Sequence, residues 1–258
     1  MNPYIFKQGR IPLIVSIPHA GTQVTQVVKE GLTPQALALP DTDWHLEELY
    51  DFVDEIGASL IVGKYSRFVI DLNRPPDDQP LYKTATTGLY PDTLFDGSPI
   101  YLPGLQPDEQ ERLRYMEEIW IPYHRKLQEE LDRIKSVYGY AMLYDSHSIA
   151  SEIPRLFDGQ LPDINIGTNS GASCAPSAEK RLKDICAQQQ RFSWTLNGRF
   201  KGGYITREYG RPENNQHAVQ IELAQKNYMH EQSPFSLDDV RSSELKPLLF
   251  SLLTNFTL

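Results

Sequence analysis

Two apolar runs in this chain end on a histidine set among small residues: Leu13-Ile14-Val15-Ser16-Ile17-Pro18-His19-Ala20-Gly21 and Ala141-Met142-Leu143-Tyr144-Asp145-Ser146-His147-Ser148. Each reads as a buried strand that stops and presents an imidazole, where α/β sheets place their ligands. Two such imidazoles with acidic residues close by point to a divalent metal centre of the zinc type, three protein ligands plus water. Ala20 and Gly21 leave room for a ligand beside His19. Asp145 and Ser148 could orient the second ring nitrogen of His147. Either histidine could instead be satisfied by an ordinary structural hydrogen bond.

A third ligand is sought in Asp41-Thr42-Asp43-Trp44-His45, between a loop and a helix start. One aspartate can cap that helix while the other binds metal, and His45 is a further candidate. Glu222 lies inside the apolar run Val219–Leu223. A buried carboxylate there is either paired with an arginine or functional, as a general base beside a metal. Arg67 and Arg74 flank Phe68-Val69-Ile70-Asp71-Leu72, and Asn73-Arg74 together could grip a carboxylate through an amide and a guanidinium fork. Arg207 and Arg211 form a second basic cluster. His124 reads as structural, and His230 carries no motif.

The elements that must position these residues follow from periodicity. Strands are expected over 11–18, 58–62, 68–72, 140–145 and 217–223, with a turn and short strand at 202–206. Helices are expected over 43–57, ending at Gly57, over 107–137 with a kink at Pro122, over 177–190 and over 237–254. Residues 75–105 form a long loop of the lid or clamp kind, and 152–176 an ordered active-site loop. The alternation favours a sheet with helices on both faces. No boundary divides the chain, so residues 1–258 are expected to be one domain.

Composition is that of an ordinary globular protein, with 40% hydrophobic and 23% charged residues among 258. A net charge of −9 speaks against a broad nucleic-acid footprint, yet a few arginines can still dominate a pocket for a small acidic substrate. No apolar run is long enough to span a bilayer. Only two cysteines occur, Cys174 and Cys186. With a start that lacks a signal-peptide pattern, they point to a reducing cytoplasm. Oligomeric state is not encoded in any motif.

Taken in order, the motifs resemble the N-formylglutamate amidohydrolase (deformylase) family. The matching stretches are Ser16–Gly21, Asp41–His45, Ser66–Arg74, Asp145–Ser148, Leu161–Thr168, Lys201–Arg207 and Gln216–Leu223. They cover about residues 10 to 230. Asp-Thr-Asp-Trp and Leu-Pro-Asp-Ile-Asn-Ile-Gly favour the branch acting in histidine degradation. The order His19, Arg67, Asn73-Arg74, His147-Ser148, Glu222 is also distantly similar to zinc carboxypeptidases and aspartoacylases. Their first ligand pair is His-x-x-Glu, whereas this chain has His19-Ala20-Gly21-Thr22, so Asp43 is the preferred substitute ligand.

The resemblance implies a three-layer α/β/α fold around a mixed central sheet, phosphorylase/hydrolase-like as in zinc carboxypeptidases. It implies metal-dependent hydrolysis of N-formyl-L-glutamate to formate and L-glutamate. His19, Asp43 and His147 would hold a divalent metal, Zn²⁺ by preference. Glu222 would be the base, and Arg67 would stabilise the oxyanion. Asn73 and Arg74 would take one substrate carboxylate, and Arg155 or Arg207 the other. Two readings compete: another N-acyl-amino-acid amidohydrolase or small metallopeptidase, and a non-catalytic binding protein for glutamate-like ligands. No Gly-x-Ser-x-Gly elbow supports a serine hydrolase.

Overall fold

A computed structural model describes residues 2–81 and 86–257. One seven-stranded sheet runs through it in the order β1-β3-β2-β4-β7-β5-β6. The strands are β1 (Tyr4–Lys7), β2 (Leu13–Ile17), β3 (Ser59–Gly63), β4 (Ala141–Ile149), β5 (Ile164–Gly167), β6 (Trp194–Leu196) and β7 (Gln216–Ala224). β3, β2, β4 and β7 are mutually parallel; β1 and β5 pair antiparallel with β3 and β7. The sheet is therefore mixed, with helices on both sides.

Every residue of β2, β4 and β7 is buried, as expected for parallel strands covered on both faces. Alternate side chains feed two cores. Leu13, Val15, Met142, Tyr144, Val219 and Ile221 pack under α2 (Leu46–Leu49), α3 (Val53–Ile56), α6 (Pro176–Gln188) and α8 (Asp239–Asn255). Ile14, Ala141, Leu143 and Ala218 pack under α1 (Gln26–Gly31), α4 (Glu109–Tyr115), α5 (Ile121–Tyr138) and α7 (Tyr204–Tyr209). On that second face, the same alternation makes Ser16, Asp145, His147, Gln220 and Glu222 neighbours. The apolar layer thus gives way to a polar one toward the carboxyl ends of the strands.

Several expected elements differ. Residues 43–57 form two short helices; His45 precedes the first at φ 60° and gives it no side-chain cap, and Gly57, at φ 85°, ends the second as expected. Residues 68–72 are a buried turn, because their backbone bonds go to Ser66 and Leu89 instead of a strand. Pro122 has no N–H for the carbonyl one turn back, and the helix widens into a π turn over Met116–Trp120 just before it. β4 runs on through His147, so that imidazole sits within the strand and not beyond it. Residues 204–209 are helix α7, not strand. Of the expected loop 75–105, residues 82–85 lie outside the described residues. Among the described residues, no helix is long and apolar enough to cross a membrane.

Candidate metal centre and its cavity

The site lies at the carboxyl ends of β2, β4 and β7. Pro18 turns the chain out of β2 and presents His19. Its carbonyl accepts the Asp43 N–H at 3.1 Å, which draws segment 41–45 to the strand end. His147 and Glu222 are directly opposed in the β4–β7 register.

His19, Asp43 and His147 are all buried, and one donor atom from each lies within 4.8 Å of the others. Asp43 Oδ2 is 3.1 Å from His147 Nδ1 and 3.8 Å from His19 Nδ1. Both His19 Nδ1 and Asp43 Oδ1 are buried with no hydrogen-bond partner. Leaving such atoms unsatisfied costs roughly 1–3 kcal/mol each, and a divalent cation among the three side chains relieves both. Outward, His19 Nε2 lies 2.7 Å from Asp71 Oδ1, and His147 Nε2 lies 3.0 Å from Asp145 Oδ2. Carboxylates behind both rings favour the tautomer that leaves Nδ1 to a metal. Two imidazoles and a carboxylate with this backing have the donor chemistry of a zinc-type site. Burial opposes charge on both rings. At His147 the Asp145 and Asp43 carboxylates outweigh it and raise the pKa well above the usual value, whereas at His19 burial and Arg67 keep it lowered.

Asp71 also accepts from Arg67 Nη2 at 2.7 Å and from the Asn73 N–H at 2.8 Å. Burial opposes its charge, but Arg67 and His19 hold its carboxyl well below the usual range. The Arg67 guanidinium lies over the Phe95 ring at 4.6 Å, and Asp41 accepts the Phe95 N–H at 2.9 Å. Asn73 Oδ1 accepts the Ile205 N–H, and its carboxamide nitrogen lies 2.9 Å from His147 Nε2. Gly203 must be glycine: a Cβ there would stand 2.4 Å from the Asn73 side chain. Gln220 accepts the Gly203 N–H at 2.6 Å and donates to Glu222 Oε2 at 2.9 Å. Burial pushes the Glu222 carboxyl up to about 7. Arg74 donates to the carbonyls of Thr87 and Asn73 and to the Thr86 and Thr87 hydroxyls, and the Trp120 indole N–H donates to the Arg74 carbonyl.

One cavity, open at its mouth, brings together seven of the expected residues: His19, Asp43, His147, Arg67, Asn73, Arg74 and Glu222. The other two lie elsewhere. Arg155 is exposed, with its side chain over Gly97, and Arg207 donates to the carbonyls of Gly202 and Leu81. The two alternative metal ligands also turn away. Asp41 is held by Phe95, and burial pushes its carboxyl up to about 7. His45 donates to the Phe235 carbonyl. Thr22 is exposed. Gly21 owes its identity to the Lys64 backbone, 2.4 Å from where its Cβ would stand, and not to an approaching ligand. Ser148 contacts Tyr228 and Gln225 instead of orienting His147.

Asp71, Gln220, Phe95 and Arg199 are site residues that the sequence reading did not single out. Asp71 and Gln220 carried the signal that flagged Glu222, a polar residue inside an apolar run. Phe95 and Arg199 sit in irregular polar segments with no such signal.

The family model for N-formylglutamate amidohydrolase matches residues 11–229. The N-formylglutamate deformylase of Pseudomonas aeruginosa is 57% identical over 252 residues, covering 96% of this chain and 95% of its own. That of Pseudomonas putida is 55% identical over 248 residues, covering 96% and 93%. Among solved structures, an N-formylglutamate amidohydrolase from Ralstonia eutropha superposes with a TM-score of 0.83 at 22% identity, covering 98% of this chain and 96% of that one. A gene product of Agrobacterium tumefaciens does so with 0.72 at 16%, covering 99% and 93%. These two likenesses are of fold.

Proposed function

The chain belongs to the N-formylglutamate amidohydrolase family, and from that premise we propose that it hydrolyses N-formyl-L-glutamate to formate and L-glutamate with a divalent metal. The observation that carries the metal is the pair of orphaned buried atoms, His19 Nδ1 and Asp43 Oδ1, facing a third donor on His147. When bound, the cation supplies Lewis acidity, acidifying water and polarising the formyl carbonyl. Zn²⁺ suits the two imidazoles and one carboxylate.

The chain's own residues do the rest. Glu222, opposite His147, takes the proton of the attacking water and passes it to the amide nitrogen as the C–N bond breaks. Burial raises this carboxyl above its ordinary range, and the charge of a bound cation acts against that shift. Gln220 holds one oxygen of that carboxylate. Arg67, locked by Asp71 and Phe95, is placed to meet the negative charge that develops on the formyl oxygen. Asn73 fixes the wall between His147 and Gly203, and Arg74, held by Thr86, Thr87 and the Asn73 carbonyl, gives that wall a positive charge that favours a substrate carboxylate.

The same reading places the enzyme in histidine degradation, on the strength of its branch-like motifs. It also places it in the cytoplasm, where its two free, buried thiols suit reducing conditions. The test is formate release from N-formyl-L-glutamate by metal-stripped protein, before and after adding Zn²⁺. Activity that depends on the added ion is expected. Full activity in chelator, with no metal by elemental analysis, would sink the metal model.

A further inference from the structure

Of the three candidate metal donors, Asp43 has the least regular support. His19 directly follows the end of β2 and His147 lies within β4, whereas residues 41–45 form neither helix nor strand. A loop side chain keeps a fixed place only where its backbone is tied to rigid neighbours. Three bonds do this around Asp43. Its own N–H donates to the His19 carbonyl at 3.1 Å. The Thr42 carbonyl before it accepts from Gln225 Nε2 at 2.9 Å, and the Trp44 carbonyl after it accepts from the Tyr228 hydroxyl at 2.9 Å. Gln225 and Tyr228 are buried and lie just beyond the end of β7, the strand of Glu222. Ser148, next to His147 in β4, joins the two: its Oγ accepts from Gln225 Nε2 at 3.3 Å and lies 2.7 Å from the Tyr228 hydroxyl oxygen. Farther along the same segment, the Phe235 ring stacks on Trp44 with centres 5.8 Å apart.

We propose that Gln225 and Tyr228 are positioning residues for the metal centre, holding Asp43 against the two histidines through the carbonyls of Thr42 and Trp44. This rests on the metal reading above and deepens it. Neither residue lines the cavity, so each acts through Asp43. The Thr42 carbonyl and the Asp43 N–H are opposite edges of one peptide plane. Gln225 and the His19 carbonyl therefore grip that plane from both sides, and Tyr228 holds the chain beyond Asp43. With the backbone fixed before and after it, the Asp43 side chain has a set direction. Its Oδ2 stays 3.1 Å from His147 Nδ1 and 3.8 Å from His19 Nδ1. A donor already in place avoids the ordering cost when an ion enters. The clamp ties the third donor to the same two strands that carry His147 and Glu222.

The experiment measures Zn²⁺ affinity by competition with a chelator in the wild type, in Tyr228→Phe and in Gln225→Leu. Tyr228→Phe keeps the ring and removes only the hydroxyl. Affinity should fall roughly 10-fold in each variant, as for other outer partners of a metal ligand. Asp43→Asn supplies a readout that a merely structural role would not move. In that background Tyr228→Phe should weaken Zn²⁺ binding by less than about 2-fold, because the donor it positions is already lost. Unchanged affinity in both single variants, or an equal loss with and without the Asp43 carboxylate, overturns the assignment. Amide hydrogen exchange of the metal-stripped protein gives a second test. The Asp43 N–H should exchange faster in Tyr228→Phe than in the wild type, with the amides of β4 unchanged. Faster exchange across the whole sheet marks general destabilisation and rejects the clamp. Wild-type protein that binds no Zn²⁺ refutes the metal reading instead, and exchange at Asp43 then decides whether Gln225 and Tyr228 hold this loop.

Discussion

Asp71 Oδ1 stands 2.7 Å from His19 Nε2, and the same carboxylate accepts from Arg67 Nη2 and from the Asn73 backbone. One buried acid thus aligns His19, a candidate metal ligand, with the Arg67 guanidinium and the backbone at Asn73. Asp71→Asn removes the charge behind the imidazole while keeping the volume. Metal affinity should fall roughly 10- to 100-fold, the usual cost of losing such an outer partner. Titration against a competing chelator measures it, and an unchanged dissociation constant would show that Asp71 does not support His19.

Glu222→Gln leaves the shape of the cavity and removes the proposed base. Turnover should drop by roughly 10²- to 10⁴-fold with KM little changed. Gln220→Met cuts the bond to Glu222 Oε2 and should cost kcat about 10-fold, the worth of one hydrogen bond to a charged group. Steady-state kinetics on both variants decide the matter. Wild-type turnover in Glu222→Gln removes that residue as the base.

Metal binding should also appear in stability, independent of turnover. An ion bound only by the folded state, present at 100 times its dissociation constant, stabilises by about 2.7 kcal/mol. Thermal unfolding of stripped protein with and without Zn²⁺ should show the shift, and His147→Ala should abolish it. Superimposed wild-type curves would argue against a site at His19, Asp43 and His147.

His124 links the turn before Asn73 to helix α7, donating to the Leu72 carbonyl at 2.9 Å and bonding the Tyr209 hydroxyl at 3.0 Å. Burial lowers its pKa from 6.5 to about 3. The unfolded chain therefore takes up this proton first as pH falls. The contribution is fully present above 6.5 and is lost progressively down to about 3. Each pH unit in that window costs about 1.4 kcal/mol, or about 2 kcal/mol between pH 6.5 and 5. Urea unfolding at pH 8 and pH 5 should show His124→Gln losing less stability than wild type by roughly that amount. Equal losses would mean that His124 does not carry the acid sensitivity.

Much of the site was readable because its residues break local pattern. His19, His147 and Glu222 interrupt or end runs that are otherwise apolar, and burial of a polar group needs a reason. Asp71 and Gln220 broke pattern in the same way, but their roles are holding roles, and nothing local says which neighbour is held. The turn at 68–72 illustrates the limit on elements: an apolar pentapeptide reads alike as strand or buried turn until its backbone partners are known. The strands β5 and β6 were hidden in irregular segments for the same reason. Arg155 and Arg199 sit alone in polar segments and Arg207 reads with Arg211 as a cluster, and nothing local says which of them faces the cavity.

The sequence by itself determined the chemistry available, the strands that present it and, through motif order, the family. The first two follow from residue type and from periodicities of two or three to four residues, which are local. Only the tertiary structure decided which of Asp41, Asp43 and His45 meets the histidines, and which arginines face the cavity. Those choices depend on contacts between residues far apart in the chain: Asp43 to the His19 carbonyl, His45 to Phe235, Arg199 to Leu156. A side chain's direction is set by such partners and by strand register, where a shift of one residue turns it to the other face.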